Sequence, residues 1–254
     1  MDRSSLSFPG LYIDYFDSIP STSQFLKNTA KLSLEPRLCI TDLQTSGYGQ
    51  RQANWESDQN SITFSLLLPV QYALNQLAGF SQLLAISIKG SLASHTKHDY
   101  RLKWPNDIYM SDSKVAGLLV EVVKNQDNLC WLVIGVGINI GSFEREFLDY
   151  SAKGIPLTTM QDKNDLIEKL INGLLNTIRT YRPEVWLNSI SAWNNSDYFE
   201  LNEIVRLKGW CCELGSYLGL SGSGGVLIGT QNNENRPAIF ELTSGQVSIR
   251  KIEA

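Results

Sequence analysis

Apolar residues recur along this chain with two periods, one typical of strands and one typical of helices. Alternating or continuous apolar runs of strand length predict β-strands at 11–16, 38–42, 62–68, 102–104, 108–110, 114–121 and 129–134. Apolar spacings of three and four predict helices from Ser21-Thr22 to about residue 32, at 72–77 and 80–92, from 166 to 181, and from Pro183 to about residue 193. Residues 142–159 follow neither period and are predicted to be irregular.

The pattern changes near Asn202, where long periodic segments give way to short apolar runs separated by glycine- and asparagine-rich turns. These runs predict strands at 204–207, 226–229, 239–242 and 247–252, and together they favour a small separate β-barrel. We therefore expect an α/β (α+β) domain over 1–198 and the barrel over 199–254. In the first domain we expect a mixed, largely antiparallel sheet with helices on one face and the site at one end of the β-meander.

Composition narrows the class of protein. The chain has 254 residues, of which 43% are hydrophobic and 19% charged, as in an ordinary globular protein. A net charge of −4 argues against nucleic acid as a partner. The four cysteines show no C-x-x-C spacing and read as reduced thiols. Apolar runs stay short of the ~20 residues that span a bilayer, and the first residues do not resemble a signal peptide. We expect a cytoplasmic protein without a membrane partner.

Candidate chemistry concentrates in one stretch near the middle of the chain. Pro105 lacks an N–H and restricts Trp104 to an extended backbone, so a strand is predicted to stop there. Asn106 and Asp107 then make a polar corner, and a hairpin returns through Lys114. An amide, a carboxylate and an ammonium are thus placed at the ends of neighbouring strands. Such a set could hold a cation, a phosphate and a reacting carboxylate.

Five separated blocks agree in order and spacing with one known family. They are Ser21-Thr22, Gln44-Thr45-Ser46-Gly47, the KWPND run at 103–107, the K-x-A-G-x-L-x-E run at 114–121, and Gly135-Val136-Gly137-Ile138-Asn139. The chain resembles biotin protein ligases, also called biotin–[acetyl-CoA-carboxylase] ligases. The resemblance is to the bacterial type without an N-terminal DNA-binding domain, since ten residues before the first strand are too few for a helix-turn-helix.

The resemblance implies a fold and a reaction. The fold is a class II aminoacyl-tRNA-synthetase-like mixed sheet with helices, followed by an SH3-like C-terminal barrel. In the reaction, the carboxylate of biotin attacks the α-phosphate of ATP to give biotinyl-5′-AMP and pyrophosphate. A lysine of a biotin carboxyl carrier protein, part of an acyl-CoA carboxylase, then attacks the mixed anhydride and releases AMP. ATP and Mg²⁺ are the implied cofactors, and biotin is the substrate.

The resemblance also assigns roles to individual residues. Lys114 and Arg51 are the implied catalytic residues, with Lys114 stabilising charge between carboxylate and phosphate. The implied biotin site comprises Ser21, Thr22, Gln44, Gly47, Tyr48, Trp104, Lys114 and Gly117. The implied ATP and adenylate site comprises Gln50, Arg51, Trp55, Lys103, Asn106, Asp107, Asn139 and Ile155, with Leu157 as the alternative cover for the adenine. Asp107 is the implied Mg²⁺ residue, acting together with the phosphates. The glycines of the last block are expected to let the backbone lie against a base or sugar.

One block departs from the family pattern G-R-G-R-R-G, because residues 47–52 read Gly-Tyr-Gly-Gln-Arg-Gln. Gln50 stands where the family has an arginine that reaches the phosphate. Arg51 takes that role if the backbone shifts by one residue. A neutral hydrogen bond is weaker than a charge-assisted one. We therefore hypothesise an active enzyme with a looser lid, which releases biotinyl-5′-AMP faster.

The partner and the function are each open to more than one interpretation. An edge of the sheet beside the site is expected to pair with a strand of the carrier, or else to form a homodimer. A lipoate or octanoyl ligase or transferase shares the fold. A catalytically weakened biotin-binding regulator and an unrelated small-molecule binding module are also compatible with parts of the pattern. ATP–pyrophosphate exchange with biotin, octanoate and lipoate separates these functions.

Overall fold

The computed structural model describes residues 6–59, 61–147, 150–157, 159–231, 236–244 and 247–252. The α-helices are α1 (Thr22–Ala30), α2 (Phe80–Thr96), α3 (Met160–Thr180) and α4 (Pro183–Asn194). The strands are β1 (Tyr12–Ile19), β2 (Arg37–Gln44), β3 (Gly47–Tyr48), β4 (Asn54–Trp55), β5 (Ile62–Val70), β6 (Arg101–Lys103), β7 (Asp107–Met110), β8 (Ser113–Gln126), β9 (Leu129–Ile138), β10 (Glu144–Glu146), β11 (Ser151–Lys153), β12 (Ile204–Lys208), β13 (Leu214–Leu220), β14 (Val226–Gln231), β15 (Pro237–Leu242) and β16 (Ser248–Lys251). None of these helices combines the length and apolar character needed to cross a bilayer.

Helix ends follow local chemistry. Ser21 caps α1, because its backbone is extended and its Oγ accepts a hydrogen bond from the backbone N–H of Gln24, 3.2 Å away. Helix α3 begins at Met160, earlier than the predicted 166, because Thr159 and Asp162 form a reciprocal capping box. The predicted helix at 72–77 is wrong. Only a short 3₁₀ turn forms there, and Gly79 breaks the segment with a φ of +64° against the ring of Trp186.

The larger sheet has nine strands and is mixed, as predicted. Its order is β1-β2-β5-β9-β8-β11-β10, and the hairpin β6–β7 joins it through β8. The pairs β1–β2 and β8–β11 are parallel, and the other pairs of this sheet are antiparallel. Strands β10 and β11 lie in the segment predicted to be irregular, so that prediction is wrong there. The sequence pattern is too short in these three-residue strands to show a period.

Helices cover both faces of this sheet, which corrects the expectation of a single covered face. Leu38 and Ile40 of β2 belong to the main core with the apolar sides of α2 and α3. Cys39, which points the opposite way, packs instead with Leu26 of α1 and Leu67 of β5. The N-terminus of α1 therefore lies on the face opposite to the long helices, and the site forms beside it.

Strands β12 to β16 form a second, five-stranded antiparallel sheet, here called the C-terminal sheet. Its order is β15-β14-β13-β12-β16. The four predicted strands of this region are present, with small shifts at their ends. Strand β13 was not predicted, because Gly215 and Gly219 dilute its apolar pattern. A Cβ on Gly215 would come within 2.4 Å of Ile228, so close strand packing requires glycine there.

The segment between α4 and β12, residues 195–203, is here called the connector. It joins the two sheets through buried polar contacts. The backbone of Leu102 in β6 pairs with Ser196 and Tyr198 on either side of Asp197. The carboxylate of Asp197 is buried and accepts from Trp193 Nε1 at 2.9 Å and from the hydroxyl of Tyr217 in β13. Burial raises the pKa of Asp197 to about 6, more than these hydrogen bonds lower it. The connector therefore holds β6 and the C-terminal sheet together.

Candidate active site

A cavity of about 390 Å³ opens between the large sheet and the C-terminal sheet. Its wall is formed by the N-terminus of α1, the 47–55 hairpin, strands β5, β7, β8 and β9, and strands β12 and β16 of the C-terminal sheet. The predicted residues that line it are Ser21, Thr22, Gln44, Tyr48, Gln50, Arg51, Trp55, Trp104, Asn106, Asp107, Lys114 and Gly117. This size suits a small ligand that is largely enclosed.

The closed end of the cavity is a network of uncharged hydrogen-bonding groups. The backbone N–H of Thr22 donates to Gln44 Oε1 at 2.8 Å, and its hydroxyl donates to the same oxygen at 3.0 Å. Thr22 and Ser65 share a hydrogen bond of 2.8 Å, and Ser23 and Ser65 share one of 2.9 Å. Thr22, Ser23 and Ser65 are buried. This end thus offers several donors and acceptors in fixed positions, with no charge.

A small hairpin covers one side of the cavity. Gly47 pairs with Trp55 and Tyr48 with Asn54. Gly47 itself does not line the cavity, since a Cβ there would lie 2.8 Å from both Gln44 and the backbone of Trp55. At the tip, Arg51 has a φ of 55°. Arg51 lines the cavity, and its contact with the phosphates stays a prediction.

Tyr48 anchors the base of this hairpin. Its hydroxyl donates to Glu121 of β8 at 2.9 Å and accepts from Lys27 of α1 at 3.2 Å. Lys27 and Glu121 form an ion pair of 2.8 Å. The hydrogen bond to Glu121 raises the pKa of Lys27, whereas burial raises the pKa of Tyr48. The ring of Tyr48 is therefore fixed between α1 and β8 beside the cavity.

Lys114 and Asp107 face each other across the β7–β8 hairpin. Lys114 Nζ lies 2.6 Å from Asp107 Oδ1, and both side chains are partly exposed to the cavity. The ring centroids of Trp55 and Tyr150 lie 5.4 and 5.7 Å from the same ammonium. Gly117 lies beneath the pair, and a Cβ there would be 3.2 Å from Lys114 Nζ. The prediction that these two charges lie at the ends of neighbouring strands is confirmed.

Asn106 and Trp104 are both buried at the cavity wall and already have protein partners. The side-chain amide of Asn106 donates to the backbone oxygen of Leu118, and the backbone N–H of Leu118 donates back to Asn106 O at 3.2 Å. Trp104 Nε1 donates to the backbone oxygen of Gly224 at 3.0 Å. Both residues therefore brace the wall, and Trp104 ties it to the C-terminal sheet.

The glycines of β9 lie on the cavity wall and make room there for neighbouring side chains. Their contact with a base or sugar stays a prediction. A Cβ on Gly135 would lie 2.6 Å from Ser23 Oγ, and a Cβ on Gly137 would lie 2.3 Å from the indole of Trp55. Trp55 Nε1 is buried and has no hydrogen-bond partner among the described residues. A donor of this kind is available to a ligand.

Lys103 lies outside the cavity, against the prediction that it contacts ATP. It is 3% exposed, and its Nζ donates to the hydroxyl of Tyr109 at 3.1 Å. The rings of Tyr109, Tyr198 and Phe199 surround the amine, with centroids at 4.7, 5.3 and 5.8 Å. Burial, followed by the charge of Arg250, lowers the pKa of Lys103 to about 7. Because side chains alternate along β6, the side chain of Lys103 packs between the β6–β7 hairpin and the connector.

Asn139 and Ile155 also lie outside the cavity wall. The side chain of Asn139 is buried and donates to the backbone oxygen of Lys114 at 3.4 Å, so it supports the strand that carries Lys114. Ile155 is fully buried in the main core beside Ile140, and Leu157 is partly buried against the same core. Neither is placed to cover an adenine. The aromatic ring that this region contributes to the cavity is Tyr150.

Sequence reasoning missed two groups of lining residues. Ser23 and Ser65 complete the closed end, and the first of them directly follows a predicted pair. Lys208 and Arg250 reach the cavity from β12 and β16 of the C-terminal sheet. No local motif marks these two cations, because only the docking of the second sheet brings them to the site.

The charge of the cavity is strongly positive. Its wall carries four cationic side chains, Arg51, Lys114, Lys208 and Arg250, against the single carboxylate of Asp107, as far as the described residues go. In the same part of the chain, no three His, Cys, Asp or Glu side chains are grouped to hold a metal ion. The cavity therefore suits a polyanion better than a cation bound by protein ligands alone.

Comparison with known proteins agrees with this geometry. The sequence pattern of the biotin/lipoate A/B protein ligase family matches residues 15–139. The bifunctional ligase/repressor BirA of Escherichia coli (strain K12) is 28% identical over 244 residues, covering 92% of this chain and 73% of that protein. The biotin–[acetyl-CoA-carboxylase] ligase of Paracoccus denitrificans is 28% identical over 120 residues, covering 44% of this chain and 50% of that protein.

Solved structures give the same result over most of the chain. The biotin protein ligase of Aquifex aeolicus, in complex with biotin and ATP, superposes with a TM-score of 0.69 at 25% identity, covering 96% of this chain and 100% of that one. The biotin acetyl coenzyme A carboxylase synthetase of Helicobacter pylori, with bound biotinylated ATP, gives 0.60 at 26% identity, covering 90% and 98%. Residues 15–139 therefore form a biotin/lipoate A/B protein ligase family domain, and the chain over most of its length is similar to biotin protein ligases.

Proposed function

We propose that this protein is a biotin protein ligase, which activates biotin with ATP and transfers it to a lysine of a carrier protein. One observation carries the proposal: a single cavity has an uncharged hydrogen-bonding end and a cationic mouth. Biotin and ATP need these two environments side by side. The relatives named for this activity, two of them solved with biotin and ATP or with a biotinylated nucleotide, support the same conclusion.

The closed end suits the ureido ring of biotin. A ureido group has two N–H donors and one carbonyl acceptor. Gln44 Oε1 is an acceptor, and the hydroxyls of Thr22 and Ser65 can act either way. An alkyl chain such as that of octanoate has no donor or acceptor for these groups, so it would gain none of the hydrogen bonds, worth about 0.5–1.5 kcal/mol each, that a ureido ring can make. The polar closed end therefore favours biotin over octanoate or lipoate.

The open end suits the first chemical step. A carboxylate and a phosphate repel each other, and positive charge in a water-poor site lowers that barrier. Lys114 lies between the two ends of the cavity and would exchange Asp107 for the oxygens of the reacting groups. Arg51, Lys208 and Arg250 would bind the triphosphate, and the free N–H of Trp55 would donate to the ligand. Tyr150 is our candidate for the ring that covers the adenine.

Magnesium would enter mainly with the nucleotide. Asp107 is the one carboxylate among the described cavity residues, and a single carboxylate together with substrate phosphates is a normal Mg²⁺ arrangement. When bound, the ion would neutralise phosphate charge. Asp107 would accept this role only after its ion pair with Lys114 opens.

Transfer to the carrier follows at the open end. The amine of the carrier lysine, in its neutral form, attacks the carbonyl of the mixed anhydride, and AMP leaves. The acceptor is proposed to be the biotin carboxyl carrier protein of an acyl-CoA carboxylase. Strand β1 is an edge of the large sheet and could add a strand of the carrier, or of a second copy of this chain. These two uses of one edge would compete.

We also propose a domain organisation and a location for the protein. Residues 1–198 and 199–254 are proposed as separate domains, supported by their separate sheets. A cytoplasmic location is proposed because the reaction consumes ATP and because all four cysteines are free thiols.

Biotin-dependent ATP–pyrophosphate exchange tests the proposed function. Exchange with biotin, and none with octanoate or lipoate, is expected. Exchange with octanoate or lipoate instead would assign the protein to the other branch of the family. Tight biotin binding without any exchange would identify a regulator rather than an enzyme.

A further inference from the structure

The turn between β12 and β13 carries two adjacent cysteines outside the cavity. Cys211 is exposed and Cys212 is half-buried, and their Sγ atoms lie 3.9 Å apart. The backbone N–H of Leu207 donates to Glu213 O at 2.7 Å and closes the turn below the pair. Two thiols are therefore held side by side at the surface of the C-terminal sheet.

The other two cysteines differ from this pair in their exposure to solvent. Cys39 and Cys130 are fully buried in different parts of the core. Burial raises the pKa of both thiols, which disfavours the reactive thiolate. Thiol chemistry in the folded protein is thus directed to the 211–212 pair.

The geometry of this pair favours a bridging atom over a direct disulfide. Adjacent Cα atoms are about 3.8 Å apart across a trans peptide, whereas disulfides usually need about 4.4–6.8 Å. The thiols would also have to close from 3.9 Å to a bond of about 2.05 Å. By comparison, two bonds to a bridging atom of about 2.3 Å each, the Zn–S length, reach up to about 4.6 Å. A bridging atom fits with little change in the backbone.

The number of available protein ligands narrows the chemical class of the bridging atom. Within the described residues, no third Cys, His, Asp or Glu joins the pair in a metal-binding group. The pair therefore supplies too few ligands for ions that need three or four from the protein. The pair suits a soft, thiophilic centre that binds two thiolates and keeps a ligand of its own. A monosubstituted trivalent arsenical has this character.

We propose that Cys211 and Cys212 form a dithiol site that captures such thiophilic centres. In the reaction, an arsenical R–As=O forms two As–S bonds, the two S–H bonds break, and the oxygen leaves with both protons as water. Arsenic stays trivalent, and no oxidant is required. The second As–S bond forms within the molecule, so the effective concentration of the second thiol makes the chelate far tighter than two separate thiol adducts.

Capture at this turn acts on the cavity through Lys208. Lys208 ends β12 and lines the cavity, and Trp210, between it and the thiols, packs against Phe240 with ring centroids 6.1 Å apart. A chelate that includes the 211–212 peptide restricts the same turn. We expect capture to raise the KM for ATP several-fold while leaving biotin binding unchanged.

Phenylarsine oxide is the probe, used on the reduced full-length protein. Intact-mass measurement under native conditions is expected to show one adduct per chain, with loss of one water. A 1,2-dithiol should remove it and an equal concentration of a monothiol should not. Cys211→Ser and Cys212→Ser should each abolish the adduct, and Cys130→Ser should leave it intact. This binding arm needs no catalytic activity, so it stands or falls separately from the proposed function.

An adduct that persists in Cys211→Ser or Cys212→Ser, or that a monothiol removes equally well, would overturn the dithiol site. The consequence for the cavity is tested by pyrophosphate exchange with and without the probe. A rise in the KM for ATP in the wild type, absent in Cys211→Ser, supports the connection through Lys208. An unchanged KM at full occupancy overturns that connection.

Discussion

The closed and open ends of the cavity differ in how they are built. At the closed end, Thr22 of α1, Gln44 of β2 and Ser65 of β5 are hydrogen-bonded to one another at 2.8–3.0 Å. At the open end, Lys114 and Arg51 share the cavity wall with Lys208 and Arg250 from the C-terminal sheet. The closed end is neutral and internally paired, whereas the open end is cationic and assembled from both sheets.

This difference separates recognition from chemistry. A network whose members already hold each other in place is rigid, and it discriminates by offering hydrogen bonds that only a ligand with matching polar groups can make. Cations brought together from two sheets repel each other until an anion arrives, so their arrangement depends on how the sheets dock. Changes at the closed end should therefore alter the affinity for biotin. Changes at the open end should alter the rate and the use of ATP.

The largest effect is expected from Lys114→Ala. Loss of one preorganised donor to the developing charge should raise the barrier to adenylate formation by about 2.7–4 kcal/mol, or about 10²–10³-fold in rate. Biotin affinity, measured by calorimetry, should change far less, because the closed end is untouched. Lys124→Ala, on the exposed part of the same strand, is the control. Pyrophosphate exchange at the normal rate in Lys114→Ala would rule out its proposed role.

Arg250→Met should come next and should affect ATP alone. Removing one charge-assisted hydrogen bond costs about 1.5–3 kcal/mol, which is roughly ten- to a hundredfold in the KM for ATP. Lys251→Met, the adjacent residue outside the cavity wall, serves as the matched variant. Equal effects of the two substitutions would mean that general charge, not the position of Arg250, matters.

Thr22→Val removes a hydroxyl from the hydrogen-bond network of the closed end while keeping nearly the same side-chain shape. Gln44 Oε1 and Ser65 Oγ each lose a buried partner, so biotin binding should weaken by about 1–3 kcal/mol. The KM for ATP should stay the same. Thr29→Val, near the opposite end of α1 and outside the cavity wall, should leave both quantities unchanged. A shift in the KM for ATP equal to the loss in biotin affinity would contradict the separation of the two ends.

The pH dependence of the free energy of unfolding tests the burial of Lys103 below the cavity. The pKa of Lys103 is lowered to about 7, so between about pH 7 and 10.5 the folded protein binds fewer protons than the unfolded chain. The free energy of unfolding should therefore rise with pH in that window, by at most about 1.4 kcal/mol per pH unit. Below pH 7 the cost of the buried charge is present in full.

Urea unfolding of Lys103→Met and of wild type between pH 7 and 9.5 measures this contribution. The substitution should remove that part of the slope, and Lys31→Met, at an exposed position, should not. Parallel stability curves for wild type and Lys103→Met would show that the amine is not carrying the predicted proton change.

The smallest effect is expected at the tip of the 47–55 hairpin. Gln50 Nε2 donates to Ser244 Oγ of the C-terminal region at 2.8 Å, in an exposed position. Ser244→Ala should lose about 0.5–1.5 kcal/mol and release biotinyl-5′-AMP up to about tenfold faster. Gln50→Arg should slow release if the neutral side chain weakens the lid, and Ser189→Ala on α4 is the control. Unchanged release in Gln50→Arg would remove the looser-lid hypothesis.

Local order in the sequence determined much of this protein. Ser21-Thr22 before an apolar run predicted the start of α1, and the apolar spacing after residue 166 predicted the buried face of α3. Asp107 and Lys114 meet because a tight hairpin joins their strands, and the turn residues that specify the hairpin are adjacent in sequence. In each case the interaction lies within a few residues, where propensity and turn chemistry decide the outcome.

Tertiary structure decided the rest. Lys103 and Asp107 both lie in the KWPND run, yet one is enclosed by rings of the connector and the other faces the cavity. Arg250 and Lys208 enter the site because a second sheet docks beside the first. Burial depends on elements far apart in the chain, and a charged side chain carries no local mark of which distant surface will cover it. The sequence could therefore name the charged residues of the central motif, but only the packing of the two sheets decided which of them face the cavity and added Lys208 and Arg250 to it.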